Sequence, residues 1–361
     1  MAAAVAVGGK SRDRPRPRRR LLVLVGAVVA LGAVPCAAQA HGPVAPIASS
    51  YLAKVGQLPA GLDAQVIDGD QRMWLRVSPG ATAVVLDYRG AGYLRFSRSG
   101  VDVNQNSAMY YLNQTPAETP PSNLTARTPA AWQRVSGAHD YGWHDGRLHA
   151  LATVALSPGT SYVGRWRIPV LIDGRVSSIS GGLWHAAPPS IAWFWPIVVL
   201  LACVLAAWRV RRSELDALVA RLLAVAALIA IATAGVGREL HGRPAVSISQ
   251  LLTFGVIVVF VAWGLRRVLL ARLGWFGLFA VSFAALWEGV QLIPTLLNGF
   301  VLAAEPALIA RTAAVVCLGC GAGLVLLAYR LAGQAEPESP ATDRSSEEYD
   351  SEDDRAWESY A

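Results

Sequence analysis

This chain is short of reactive side chains. Of its 361 residues, four are cysteine, three are methionine and 16% are charged. Cys203, Cys317 and Cys320 lie in apolar runs and Cys36 precedes a cleavage-like site, so the stretch 41–190 has no cysteine. A disulfide framework is excluded there, and that stretch must fold on its core alone. Beyond the N-terminal leader only Met73 and Met109 remain, so there is no methionine-rich relay for soft Cu(I). No nucleophile elbow, phosphate loop, HExxH or pair of catalytic carboxylates is present. The expectation is a protein that is not an enzyme.

What is abundant is apolar sequence. Hydrophobic residues make up 53% of the chain and mean hydropathy is +0.38, which points to a membrane protein. The net charge of +7 does not argue for nucleic acid. Much of it is the basic run Lys10 to Arg20, while the last residues, Ala335 to Ala361, are strongly acidic.

The N-terminus reads as an export signal, 1–40: a basic "RDRPRPRRR", an apolar run through Val34, and the small-x-small "AQA" at Ala38 to Ala40. Cleavage after Ala40 makes His41 the first residue of the mature chain. Its α-amine and imidazole Nδ1 are then two nitrogen donors suited to Cu(II).

Residues 41–190 read as a β-rich domain. "QRMWLRV" alternates Met73, Leu75 and Val77 on one face. "SYVGRWRIPVLIDG" is expected to place Tyr162, Trp166 and Ile168 on one face, with Val163, Arg165 and Arg167 on the other. Short alternating segments between Gly, Pro and Asp predict an antiparallel sandwich. The Pro/Thr-rich stretch before Trp132 predicts a long loop.

From Ser190 five apolar runs follow, each near the length that crosses about 30 Å of hydrocarbon. They begin at Ser190 behind the aromatic belt Trp193, Phe194 and Trp195, then run at about Leu215–Val236, Ile248–Leu265, Trp275–Ile293 and Ala307–Leu331. The transmembrane unit is 191–332 and the acidic tail, 333–361, is expected to be disordered and cytoplasmic. Arginines crowd two loops, at Arg209 to Arg212 and Arg266 to Arg272. With export of 41–190 this gives a positive-inside topology. All six histidines, His41, His139, His144, His149, His185 and His241, then face the extracytoplasmic side.

"GAHDYGWHDGRLHAL" gathers His139, Asp140, His144, Asp145 and His149. Imidazole and carboxylate on one segment suit a metal, but also suit hydrogen bonds that pin a Trp-rich loop. Within the spans, Glu288 and Gln291 lie one turn apart. An intramembrane carboxylate is costly and is a functional candidate by default. Arg311, near the start of the last span, is a candidate partner, with an ion or proton role for the carboxylate as the alternative. Cys317 and Cys320, a CxxC on an apolar helix, read as packing residues, with a soft site shared with Cys203 as the alternative.

"GTSYVGRWRIPVLIDGRVSSISGGLWH", with His41, resembles a copper-resistance C-type (CopC-like) periplasmic domain, and the fusion to spans resembles fused copper-resistance C and D proteins. That resemblance implies an Ig-like sandwich with Cu(II) held by His41 and Asp173. Where the family has a second histidine this chain has Arg175, so His139, His144, His149 or His185 would have to substitute. The whole chain also resembles a group of actinobacterial membrane proteins with an exported β domain and a "WHD-R-H" stretch, which implies the architecture and no activity. The leading expectation is copper handling outside the membrane, with the bilayer as partner. The alternatives are an envelope-interaction module whose sandwich binds a protein partner, and a sensor acting through the tail.

Overall fold

The computed structural model describes residues 46–114, 119–149, 161–210, 213–241, 248–270 and 274–334. The export signal, His41 and the acidic tail beyond 334 lie outside the described residues.

The chain opens with an antiparallel β domain: β1 (Ala48–Ser49), β2 (Tyr51–Gln57), β3 (Leu62–Ile67), β4 (Arg72–Val77), β5 (Ala83–Leu86), β6 (Gly92–Ser97), β7 (Gly100–Asn104), the short helix α1 (Ala108–Gln114), β8 (Trp132–Ser136), β9 (Asp140–His144), β10 (Tyr162–Ile172) and β11 (Arg175–His185). Seven strands form one sheet in the order β2-β11-β10-β5-β6-β7-β8, and β3-β4-β9 form a second. Both sheets feed a single core. Met73 and Leu75 (β4), Leu94 and Phe96 (β6), Ile168 (β10) and Ile179 (β11) are buried in it together.

The alternation read for β4 holds, with Met73, Leu75 and Val77 all buried. For β10 it fails at the start. Trp166 and Ile168 point into the core, but Tyr162 is 49% exposed while Val163 packs against the core. A register shift between Tyr162 and Gly164 is the cause. One extra residue inverts the alternation before it.

The β10–β11 hairpin turns at Asp173 (φ 48°) and Gly174 (φ 79°). Successive positive φ values are what a two-residue hairpin needs to match strand twist, and Asp-Gly supplies them at low cost. The core closes over a buried ion pair. Asp145, fully buried, accepts from Arg147 Nε (2.8 Å) and Nη2 (2.7 Å) and from Trp143 Nε1 (3.0 Å). The Arg147 guanidinium also reaches the Leu86 carbonyl (2.9 Å) and stacks on Tyr88.

Five helices follow: α2 (Trp195–Val210), α3 (Ser213–Leu240), α4 (Ile248–Leu270), α5 (Trp275–Leu297) and, after the two-residue β12 (Phe300–Val301), α6 (Ala307–Gln334). All five are long and apolar enough to cross a membrane, as a multi-pass membrane protein requires. Helix α6 is central, and its glycines admit the neighbours. A Cβ at Gly321 would meet Leu286 of α5, and one at Gly323 would meet Val204 of α2. Small residues at such crossings replace the hydrophobic drive that lipid removes. Arg330 of α6 bonds Asp216 (2.7 Å) and the Trp208 carbonyl (3.1 Å), tying three helices at the end far from the β domain.

The β domain is joined to the helices by backbone. Strand β1 pairs with β12, between α5 and α6. Leu302 N–H donates to the Ile47 carbonyl (2.8 Å) and the Ser50 hydroxyl to Asn298 (2.9 Å).

Asp145→Ala should cost about 3–5 kcal/mol, because it strands the buried Arg147 and Trp143 donors. Denaturant titration of the full chain in detergent, followed by tryptophan emission, should show the β-domain transition moving to lower denaturant.

Candidate functional site

The end of the β domain that meets the helices gathers the ionisable side chains. The β3–β4 turn, Asp68-Gly69-Asp70, has positive φ at Asp68 (61°) and Gly69 (80°). It is pressed against the entering chain. The Gly69 carbonyl accepts from Ala53 N–H (2.9 Å), and a Cβ at Gly69 would stand 3.0 Å from Ser49. Asp70 is buried and receives His149 Nδ1 at 3.2 Å. Asp68 pairs with Arg72 at 3.7 Å.

His144 closes β9 opposite Arg72. Its backbone is clamped by Asn113 of α1, whose side chain both accepts from His144 N–H (2.8 Å) and donates to its carbonyl (3.1 Å). Burial holds its imidazole below the usual histidine range, and the Arg72 cation lowers it further, against Asp68 and a hydrogen bond to Gln71. His149 lies close enough to His144 to lower it slightly as well. From the helix side His241 follows α3, bonds the backbone of Ala303 and feels the charge of Asp68. Its pKa is also lowered by burial. Neutral imidazoles are the ligand form, so both rings keep free lone pairs to lower pH than an exposed histidine.

The other residues expected at a metal site are placed elsewhere. Asp173 is at the hairpin tip, with its carboxylate bonded to Thr82 N–H (2.8 Å) and hydroxyl (3.0 Å). These bonds hold its pKa below the usual carboxylate range. His185 is at the other end of the eleven-residue β11, about 33 Å away, where it packs on Tyr51. His139 also sits at the far end, its carbonyl accepting from Val77 N–H (3.0 Å). Asp140 pairs with Arg76 there at 3.6 Å. Asp145 is consumed by Arg147. Strand direction thus separates the expected residues into a far group, Asp173 and His139, and a near group, His144, His149 and His185. Among the described residues no three His, Cys, Asp or Glu side chains surround one point closely enough to hold an ion together.

Sequence reading missed Asp68, Asp70 and Arg72. The signal was "IDGDQR", a hairpin turn carrying two carboxylates.

In the helices the expected pairing is corrected. Glu288, 8% exposed, faces Arg238 of α3 at 3.3 Å. Arg311 instead donates to the carbonyls of Thr295 (3.0 Å), Asn298 (3.3 Å) and Gly299 (3.0 Å). The last carbonyls of a helix lack intrahelical donors, and a guanidinium with five N–H groups satisfies several at once. Gln291, one turn further along α5, is exposed. Cys317 and Cys320 are buried, whereas Cys203 is exposed, so the three do not converge. Glu305, before α6, packs directly on Gly237, where any side chain would displace it. Burial raises its pKa, partly offset by its own backbone amide.

Comparison of the chain with protein-family models, with curated proteins and with solved structures finds no match to any of them.

Two outcomes follow. His144 has a folded pKa below its unfolded one, so the folded state binds fewer protons. Its contribution is complete above the unfolded value of about 6.5 and lost as pH falls through it. The midpoint of thermal unfolding should therefore drop between about pH 7 and pH 5, with a shallower acid limb in His144→Asn. Arg238→Gln should destabilise the helix bundle by about 3–5 kcal/mol by stranding Glu288. Arg238→Gln with Glu288→Gln should recover most of that loss in detergent-denaturation assays.

Proposed function

We propose that this protein handles metal at the membrane surface, with Cu(II) as the ion, His149 and Asp70 as its first donors and His144 beside them. In this reading the β domain is exported, of the Ig-like copper-resistance C type, and fixed by its spans, with the acidic tail cytoplasmic. No chemical step is assigned; the function is binding and presentation.

The observation that carries the proposal is the meeting of His149 and Asp70 at 3.2 Å with His144 on the same end of the domain. Imidazole and carboxylate are a donor set that copper accepts. His241 adds a third imidazole on the helix side of the same seam. The ligand set carried by the family resemblance fits less well, because Asp173 is engaged by Thr82 at the far tip. The Arg72 guanidinium beside His144 opposes a cation, and its pairing with Asp68 moderates that opposition.

The test is a Cu(II) titration of the full chain in nanodiscs, by calorimetry and electron paramagnetic resonance. One ion per chain with nitrogen coordination is expected. His149→Ala and Asp70→Asn should each weaken it at least tenfold, the size of a lost ligand contact of about 1.4 kcal/mol or more. A chain extended by one residue ahead of His41 is titrated separately. Loss there alone assigns binding to the N-terminal amine and removes the His149–Asp70 assignment. No stoichiometric binding in any form overturns the metal reading and leaves an envelope-interaction module.

A further inference from the structure

The seven-stranded sheet has an inner face on the core and an outer face that meets none of the second sheet. On the outer face, where β2, β11 and β10 run side by side, the register stacks three rows. Leu52, Trp184 and Tyr162 form the first, Lys54, Gly182 and Arg165 the second, and Gln57, Ser180 and Arg167 the third. No Asp or Glu occupies any of these rows. Among the described residues Lys54, Arg165 and Arg167 have no carboxylate partner, although all three are exposed. Lys54 instead lies over the Trp184 ring, 5.5 Å from its centroid, and Tyr162 meets the same ring edge-on at 5.6 Å. Trp184 covers Gly182, where a Cβ would stand 2.6 Å from the indole.

The height of these rows is set by the helices. Ala186 packs against Gly299, two residues past the end of α5 at Leu297, and Ser50 bonds Asn298 at 2.9 Å. Trp184 and Leu52 are each two strand steps from those contacts, about 7 Å at most. Each headgroup layer of a bilayer is about 5–8 Å deep beyond the hydrocarbon. The first row is therefore at headgroup level, where Trp and Tyr are favoured because one end is apolar and the other wet. The second row is about 13 Å up, and long cationic side chains reach back toward the surface from such positions.

We propose that this outer face of β2, β11 and β10 is a docking surface for the headgroups of anionic phospholipids in the leaflet beneath it. Trp184 and Tyr162 seat in the interface. Lys54 and Arg165 take the phosphates, and Arg167, one row higher at about 20 Å, adds its positive charge to the field above them. The Tyr162 register shift is what turns its ring outward to join Trp184. The surface is independent of the seam histidines.

The test reconstitutes the full chain in nanodiscs of phosphatidylcholine with a minority of phosphatidylglycerol, then measures by mass spectrometry the lipid retained on gentle extraction. The wild type should retain phosphatidylglycerol several-fold above its share in the bilayer. Lys54→Glu/Arg165→Glu/Arg167→Glu should lower that enrichment by about fivefold or more, as one lost cation is worth about fivefold. Arg266→Glu/Arg267→Glu, at the far ends of the helices, reports the other leaflet and should leave the contribution of the three β-domain cations in place. Glycerophosphate in solution should not displace the lipid, because a lone phosphate lacks the bilayer that seats Trp184. Unchanged enrichment in the triple variant, with unfolding like the wild type, overturns the proposal. So does displacement by glycerophosphate, which would make the surface a free-anion site.

Discussion

Two strands of two residues each, Ala48–Ser49 and Phe300–Val301, hold the geometry on which the rest depends. They join the start of the β domain to the connection between α5 and α6, some 250 positions later, at the level where the helices end. Backbone polar groups become costly to leave unpaired as hydrocarbon nears. Pairing them with each other satisfies both partners and fixes the domain to the bundle. With Ser50 on Asn298 and Leu302 on Ile47, the β domain stands on the helices and does not hang from a linker. The turn Asp68–Asp70 is then held near His241, and Trp184, paired with Tyr162, is held two residues from Ala186, which packs on Gly299.

Buried charge is treated consistently. Asp145 has Arg147, Asp216 has Arg330 and Glu288 has Arg238, each at 3.3 Å or less. Arg311 has carbonyls. These pairs hold structure, and each would be expensive to break from one side. The seam differs, because Asp70 faces a histidine, His149, in place of an arginine, while Asp68 pairs with Arg72. His144 and His241 keep lowered pKa values through burial, and His149 bonds Asp70. That difference sets the seam apart from the structural pairs.

Parts of this were legible in the chain. Met73, Leu75 and Val77 gave one face of β4 by simple alternation, and five apolar runs gave five helices, because hydrocarbon length and strand period are local rules. Asp173 was singled out as a metal ligand, whereas it forms the turn of the β10–β11 hairpin with Gly174. Read along the sequence, Asp173 and His185 are twelve positions apart and look like one site. In an extended strand that spacing sends them to opposite ends of the domain. Tyr162 was placed on the wrong face because a register shift at Gly164 depends on the partner strand. Arg311 was paired with Glu288 because both are charged in apolar text, while the free carbonyls at the end of α5 carry no letter in the sequence.

By itself the sequence determined the composition of the solvents this protein lives in: a cysteine-free β domain with its own core, then helices long and apolar enough for a membrane. Those follow from hydrophobic periodicity and length, which each segment carries alone. The tertiary structure decided which polar groups meet. It brought Asp70 to His149, His241 to Asp68, Arg238 to Glu288 and Lys54 to Trp184. Such meetings depend on strand register, on one irregular residue and on a two-residue strand borrowed from a loop between helices. They are energies between distant segments, and no single segment records them.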